Sequence, residues 1–247
     1  MIRGIYTAAS GMLAETTRAD TIANNLANGN TAGYKKDVAI SKDFASVLIQ
    51  RINDGPEAPV IGGLGVGTVI DEIATIQSNG AMRYSGNPLD LAIDGKGFFA
   101  VQTAAGIRYT RNGTFTRNAR GRLVTADGQE VLGQNGPITL PDGGQVTVDS
   151  TGNVLVEGAT VGQLRVVEFD NERELIKEGA NLFQAPNNGR QATGKVSQGF
   201  LEQSNVNVIS EMVNLISGYR AYELNAKTVQ THDQLLDKAV NEVGKIS

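Results

Sequence analysis

Val208-Ile209-Ser210-Glu211-Met212-Val213-Asn214-Leu215-Ile216-Ser217-Gly218-Tyr219 opens the stretch that decides the fold. From Val208, apolar side chains recur at Met212, Leu215, Tyr219, Tyr222, Ala226, Val229, Leu236, Val240 and Val243. The steps alternate four and three, which is the spacing of a helical seam seeking a partner helix. Asp233 is the one interruption. It marks either the point where the helix leaves its partner or a polar core residue that fixes register. Asn207 is a good N-cap candidate, because its side-chain oxygen can accept from free backbone N–H groups. A helix from about Asn207 to Val243 would be about 55 Å long at 1.5 Å per residue.

The other end of the chain answers this seam. Ile2, Ile5, Ala9, Met12, Thr16, Ala19, Ala23 and Leu26 also step three and four, so residues 2–28 read as a first helix. Gly4, Gly11 and the Thr16-Thr17 pair lower its intrinsic propensity, so it depends on packing. Ala8, Ala9, Ser10 and Gly11 either admit a close partner helix or are simply a weak helix start. The stretch Ile22–Lys36 then holds Asn24, Asn25, Asn28 and Asn30 with Gly29 and Gly33, which ends a helix. Asn24 and Asn25 still fall in the helical register, where Asn is a poor choice. They read either as hydrogen-bonding groups at a subunit contact or as plain caps.

Residues 37–68 read as a connector. Phe44, Val47, Leu48 and Ile52 suggest a short helical turn, stopped by Asp54-Gly55-Pro56 and Pro59. The glycine run Ile61-Gly62-Gly63-Leu64-Gly65-Val66-Gly67 neither follows a clear strand nor opens a helix, so it reads as a flexible linker and not a phosphate-binding loop. From residue 69 the text changes to strands and turns. Leu89, Leu91 and Ile93 alternate, as do Val146 and Val148, Val154 and Val156, and Leu164 and Val166. Asn79-Gly80, Asp94-Gly95, Asn112-Gly113, Asp127-Gly128, Asn135-Gly136 and Asp142-Gly143 are pairs that favour tight hairpins. Short strands at this spacing suggest an antiparallel barrel or sandwich.

The expected class is therefore α+β: a discontinuous helical domain from residues 1–36 and 205–247, a connector over 37–68, and a mainly antiparallel β domain over 69–204. Composition narrows the function. The net charge is −4 with no Lys/Arg cluster, which argues against nucleic acid as a partner. There is no cysteine, and His232 is the only histidine, so zinc ligation and a Cys–His or Ser–His nucleophile pair lack their parts. Asp90 and Asp94 could pair as acid and base, but Asp94 precedes Gly95 in a turn and Asp90 falls in the outward phase of its strand. No cofactor and no small-molecule substrate is expected. No apolar run reaches the roughly 18 residues of a membrane span, and the N-terminus lacks the apolar core of a cleaved signal.

Three groups of motifs, in order along the whole chain, resemble one family. Asn24-Asn25-Leu26-Ala27-Asn28 followed by Thr31-x-Gly33-Tyr34-Lys35 is similar to the N-terminal signature of the bacterial flagellar rod and hook proteins. Pro88-Leu89-Asp90-Leu91-Ala92-Ile93-x-Gly95-x-Gly97-Phe98-Phe99 and Tyr109-Thr110-Arg111-x-Gly113-x-Phe115 resemble its middle. Gly199-Phe200-Leu201-Glu202-x-Ser204-Asn205-Val206-Asn207, then Tyr219-Arg220-Ala221-Tyr222-Glu223 and Asn225-x-Lys227, resemble its C-terminal helix. The resemblance implies a non-enzymatic structural subunit of the basal-body rod. It implies export without a cleaved signal and assembly with copies of itself and other axial proteins, after contact with the flagellar export apparatus. By the same analogy the terminal helices line the tube and the β domain lies outside. The compact stretch between Lys36 and Gly67 and the Tyr109–Leu123 region are closer to proximal than to distal members of the rod. Candidate assembly residues are Ile5, Met12, Asn24, Asn25, Leu26, Asn28, Asn205, Asn207, Met212, Leu215, Tyr219, Tyr222, Val229 and Leu236. Two other classes compete. One is a β-domain surface-binding module on a helical stalk, which would bind a glycan or host surface as a monomer. The other is an enzyme acting on the cell wall, which would turn over peptidoglycan.

Overall fold

The terminal seams become two helices in the computed structural model, which describes residues 2–44, 46–50, 60–179 and 181–243. Helix α1 runs Ile2–Ala27, and α2 runs Val208–Lys238 before a π-helical turn over Ala239–Val243. The threonines of α1 do not break it. Thr16 Oγ1 donates to Met12 O at 2.9 Å and Thr21 Oγ1 to Thr17 O at 2.9 Å, so each hydroxyl is satisfied one turn back. The chain separates into two compact units. One is Met1–Leu26, Asp37–Ala74 and Val208–Ser247; the other is Ala27–Lys36 and Thr75–Asn207.

In the first unit α1 and α2 meet at points spaced seven and four residues apart on α1 and seven apart on α2. Gly4 lies against the His232 ring, Gly11 against the Asn225 side chain, and Glu15 against Gly218. Numbers rise on one helix as they fall on the other, so the pair is antiparallel. The glycines make room: a Cβ on Gly4 would stand 2.5 Å from His232 Nε2, and one on Gly11 2.9 Å from Asn225 Nδ2. His232 thus takes the place in the helix contact that the seam assigned to Asp233, and Asp233 is exposed.

The same unit holds four strands: β1 (Asp37–Asp43), β2 (Ser46–Gln50), β3 (Val60–Gly65) and β4 (Thr68–Thr75). β1 pairs with β4, and β2 pairs antiparallel with β3. The helical turn expected at Phe44, Val47 and Leu48 is instead a bend and a strand; Ile52 lies outside the described residues. The glycine run is β3 and the step into β4, not a linker. The physical reason is pairing: β-prone Val47-Leu48-Ile49 finds a ladder partner in a segment whose glycines have no helical preference.

The second unit is antiparallel β. Its strands include β5 (Met82–Tyr84), β6 (Leu91–Asp94), β7 (Phe98–Thr103), β8 (Gly106–Thr110), β9 (Phe115–Arg117), β10 (Leu123–Thr125) and β11 (Glu130–Gly133). The largest sheet runs Ile176–Glu178, Leu182–Gln184, β8, β7, β11, β10, β9. β7 is its spine. Phe99 and Val101 point into one apolar cluster with Phe115, Val131 and Leu140, and Phe98 and Ala100 into another with Tyr109, Phe169 and Phe183. Period-two alternation on a strand buried on both faces explains the unbroken run Phe98-Phe99-Ala100-Val101. β6, buried from Leu91 to Ile93, pairs with Lys195–Gln198, and β5 pairs with Phe200–Glu202.

The Asn/Asp-Gly pairs sort into three kinds. Asp127-Gly128 turns β10 into β11, and Asn135 sits in the turn closed by Gly133 and Gly136. Gly80 and Gly113 are instead places where two backbones nearly touch. A Cβ on Gly113 would stand 1.5 Å from Leu91 O, and one on Gly80 1.8 Å from Gln203 O. Asp94-Gly95 and Asp142-Gly143 lead between strands that do not pair with each other. Asp90, just before β6, is buried and accepts from Asn87 Nδ2 at 3.1 Å, not turned outward as alternation suggested, because its backbone bridges to Thr114.

Candidate assembly interface

Of the asparagines that looked misplaced in helical register, Asn25 has local work. Asn25 is 1 % exposed. Its Nδ2 donates to Asp37 O at 2.7 Å, and its Oδ1 accepts from Asp37 N at 2.9 Å. The side-chain amide thus pairs with a backbone as a neighbouring strand would, holding the start of β1 to the end of α1. Asn205 does the same in the second unit. Its Oδ1 accepts from Lys36 N at 2.7 Å, and its Nδ2 donates to Ile76 O at 2.8 Å and Ser78 O at 3.1 Å. Asn28 closes the turn after α1, accepting from Thr31 Oγ1 at 3.2 Å. Asn24 is exposed, and Asn207 is exposed at the position just before α2.

The apolar candidates divide by face. Ile5, Met12 and Leu26 on α1, and Leu215, Val229 and Leu236 on α2, are half-buried. Met212, Tyr219 and Tyr222 are exposed, Tyr219 at 70 %. The inward stripe of α2 is Glu211, Leu215, Gly218, Asn225, Val229, His232 and Leu236. It shares only Leu215, Val229 and Leu236 with the seam read from the sequence. Met212 and Tyr219, joined by Ile209, Val213, Ile216 and Leu224, form an uncovered apolar face. That face had no separate signal, because small and polar inward residues such as Gly218 and Asn225 do not register as a stripe.

A second constellation escaped the sequence reading of sites. Glu202, Lys35 and Arg111 are buried together in the β unit. Lys35 Nζ donates to Glu202 Oε1 at 2.6 Å and to Ser78 O at 2.9 Å. Arg111 donates to Glu202 Oε2 at 3.2 Å and to the carbonyls of Ile93 and Gly95 at 3.3 and 2.7 Å, and stacks over Phe98. Gly80 N also donates to Glu202 Oε1 at 2.9 Å. Burial pushes the Lys35 ammonium below the ordinary lysine range and Arg111 below the ordinary arginine range, with Glu202 opposing both. Above them Lys177 lies over the Tyr34 ring and donates to Lys35 O at 2.7 Å. The motif groups around residues 31–35, 88–99, 109–115 and 199–207 therefore meet at one buried knot, which a linear reading sees only as separate motifs.

Among the described residues no cluster of three or more His, Cys, Asp or Glu could hold a metal, and no helix is long and apolar enough to cross a membrane. The chain matches three family models: flagella basal body rod protein over residues 5–35, the flagellar hook protein FlgE/F/G D1 domain over 92–156, and the flagellar basal body rod FlgEFG protein C-terminal region over 197–242. It is 39 % identical to the flagellar basal-body rod protein FlgG of Bacillus subtilis (strain 168), over 98 % of this chain and 99 % of the relative. It is 33 % identical to the flagellar hook-basal body complex protein FlhO of the same organism, over the full length of both. It is 36 % identical to FlgG of Agrobacterium fabrum, over 95 % of this chain and 97 % of that one. With motifs, helices and near-complete coverage in agreement, this chain belongs to the flagellar basal-body rod protein family and is a structural subunit of that rod.

Proposed function

We propose that the subunit joins the rod through its terminal helices, and that the uncovered face of α2 is where a neighbour binds. The observation that carries this is the row Ile209, Met212, Val213, Ile216 and Tyr219, all exposed and apolar on one helix. Full burial of an exposed aliphatic side chain is worth roughly 1.5–3 kcal/mol, and a neighbour would gain part of that at each of these positions. Assembly then stabilises a surface that one chain leaves in water. On this reading the protein works by holding shape and transmitting load, without catalysis. It reaches the cell envelope by the flagellar export route with no cleaved signal, and its neighbours are copies of itself and other axial subunits.

Position along the rod is read from two features. The short stretch after Lys36 favours the proximal end. Identity over nearly the whole length to proteins named FlgG favours the distal end, and it weighs more because it draws on every element. Met212→Asp and Tyr219→Asp chains are the test of the assembly surface. They should fold, yet be missing from purified basal bodies, and cells that depend on them should not swim. Incorporation at the normal level would overturn the reading. Rescue of a strain lacking its own FlgG, and not one lacking its proximal rod protein, would support the distal position.

A further inference from the structure

We infer that a groove on α1 receives the outer ridge of α2 from a second copy of this chain, a contact that rests on the assembly reading above. The groove is lined by Arg3, Tyr6, Leu13 and Thr17 of α1 with Phe44 just after β1 and Val69 of β4, and measures about 510 Å³. Tyr6, Leu13 and Phe44 are 66, 72 and 67 % exposed. Its walls are tied together. Thr7 Oγ1 donates to Val66 O at 2.7 Å, and Ser10 Oγ accepts from Thr68 N at 3.2 Å. The groove is therefore built into the unit before anything enters it.

The chain's own α2 cannot fill it. That helix meets α1 at Gly4, Gly11 and Glu15. Tyr6, Leu13 and Thr17 each lie two positions further on, about 200° around the helix at 3.6 residues per turn. The ridge on α2 faces away in the same manner. Ile209, Met212, Val213 and Ile216 stand at i, i+3, i+4 and i+7, the anchor spacing by which an amphipathic helix seats in an apolar groove.

Length and charge set the direction. Arg3 to Thr17 and Ile209 to Glu223 each span about 21 Å at 1.5 Å per residue. With Ile209 at the Thr17 end, Val213 falls on Leu13, and Glu223 reaches Arg3, the one charged side chain in the groove lining. In the free chain Glu223 is exposed and paired with Lys227 at 2.9 Å. Groove and ridge face outward from opposite sides of one helix pair, so the contact is heterologous. A second copy leaves its own groove open for a third, which is the geometry of a ring or a filament.

The chain has no cysteine, so introduced ones report cleanly. Leu13→Cys and Val213→Cys are made in separate full-length chains. They are mixed at a concentration where the unaltered chain sediments as oligomers, or assembled together in basal bodies if it does not, and then oxidised gently. The mixture should give a covalent dimer at least tenfold more than either chain alone, and a chain carrying both substitutions should give a ladder. Thr17→Cys with Ile209→Cys repeats the test should the first pair fold poorly. Cross-linking of either variant with itself as readily as in the mixture overturns the pairing. So does no dimer from either pair while the chains still oligomerise or enter basal bodies. A chain absent from basal bodies even when unaltered overturns the assembly reading itself.

Discussion

Glu202 stands between two cations, and that asymmetry makes it the most sensitive side chain of the β unit. Lys35 and Arg111 both donate to it, and all three are nearly inaccessible to water. A buried ion pair adds little to stability when desolvation is counted, but breaking one leaves a stranded charge. Glu202→Ala strands two, and should cost about 3–5 kcal/mol. Lys35→Met leaves Arg111 and Glu202 as a neutral pair and should cost under about half as much. Urea unfolding of both variants checks the order. Equal losses would mean that the lysine hydrogen bond to Ser78 O matters as much as the charge balance.

At the scale of elements, turns are held by specific side chains more than by glycine alone. Between the strands Val146–Val148 and Asn153–Val156, Asp149 accepts from Thr151 N, Thr151 Oγ1, Asn153 N and Asn153 Nδ2, all within 2.9 Å. The bond from the Asn153 side chain leads in drawing the Asp149 carboxyl down to about 2. Its folded value lies below the unfolded one near 3.9, so the ionised form stabilises the fold above that pH. That contribution is lost as pH falls from about 4 toward 2. The carboxylate stands near solvent, which limits the effect to on the order of 1 kcal/mol. Asp149→Ala should therefore lower stability by about that much at pH 7 and by little at pH 2, read from denaturation curves at both. The next hairpin uses backbone conformation instead. Glu157 and Gly158 both have positive φ, 51° and 83°, as a two-residue turn of the tightly twisted kind requires. Glu157 gave no warning of this, because only its glycine neighbour is a turn former.

Across the whole molecule, the β unit is closed by residues from both flanks of the chain. Its members include Ala27–Lys36 as well as Thr75–Asn207. Gly33 N donates to Glu202 O at 2.8 Å, and Asn205 holds Lys36 and Ile76. A fragment spanning residues 27–207 should thus melt cooperatively. One spanning 40–200 loses Lys35 and Glu202, and with Leu201 and Glu202 most of the strand that pairs with β5, so it should melt at least 10 °C lower or not fold. Calorimetry of the two fragments decides. Equal melting would show that the buried knot of charges is dispensable to the β unit.

Much of this was written in the residues themselves. The three-four spacing at both ends required helices, and the change to alternating apolar residues required a β unit. Both are local patterns, set by the period of the backbone. The motifs named the family, because they are read one after another along the chain. What folding alone decided is who touches whom. Which teeth of the α2 seam turn inward depended on Gly4, Gly11 and Gly218 giving space to His232, Asn225 and Glu15. The glycines at 80 and 113 read as turns until the chain brought Gln203 and Leu91 against them. Lys35, Arg111 and Glu202 are far apart in sequence and become one site only when the sheets close. Periodicity belongs to a single element and can be counted. A contact between elements depends on where each comes to rest, and the residues at one end carry no mark of their partners at the other.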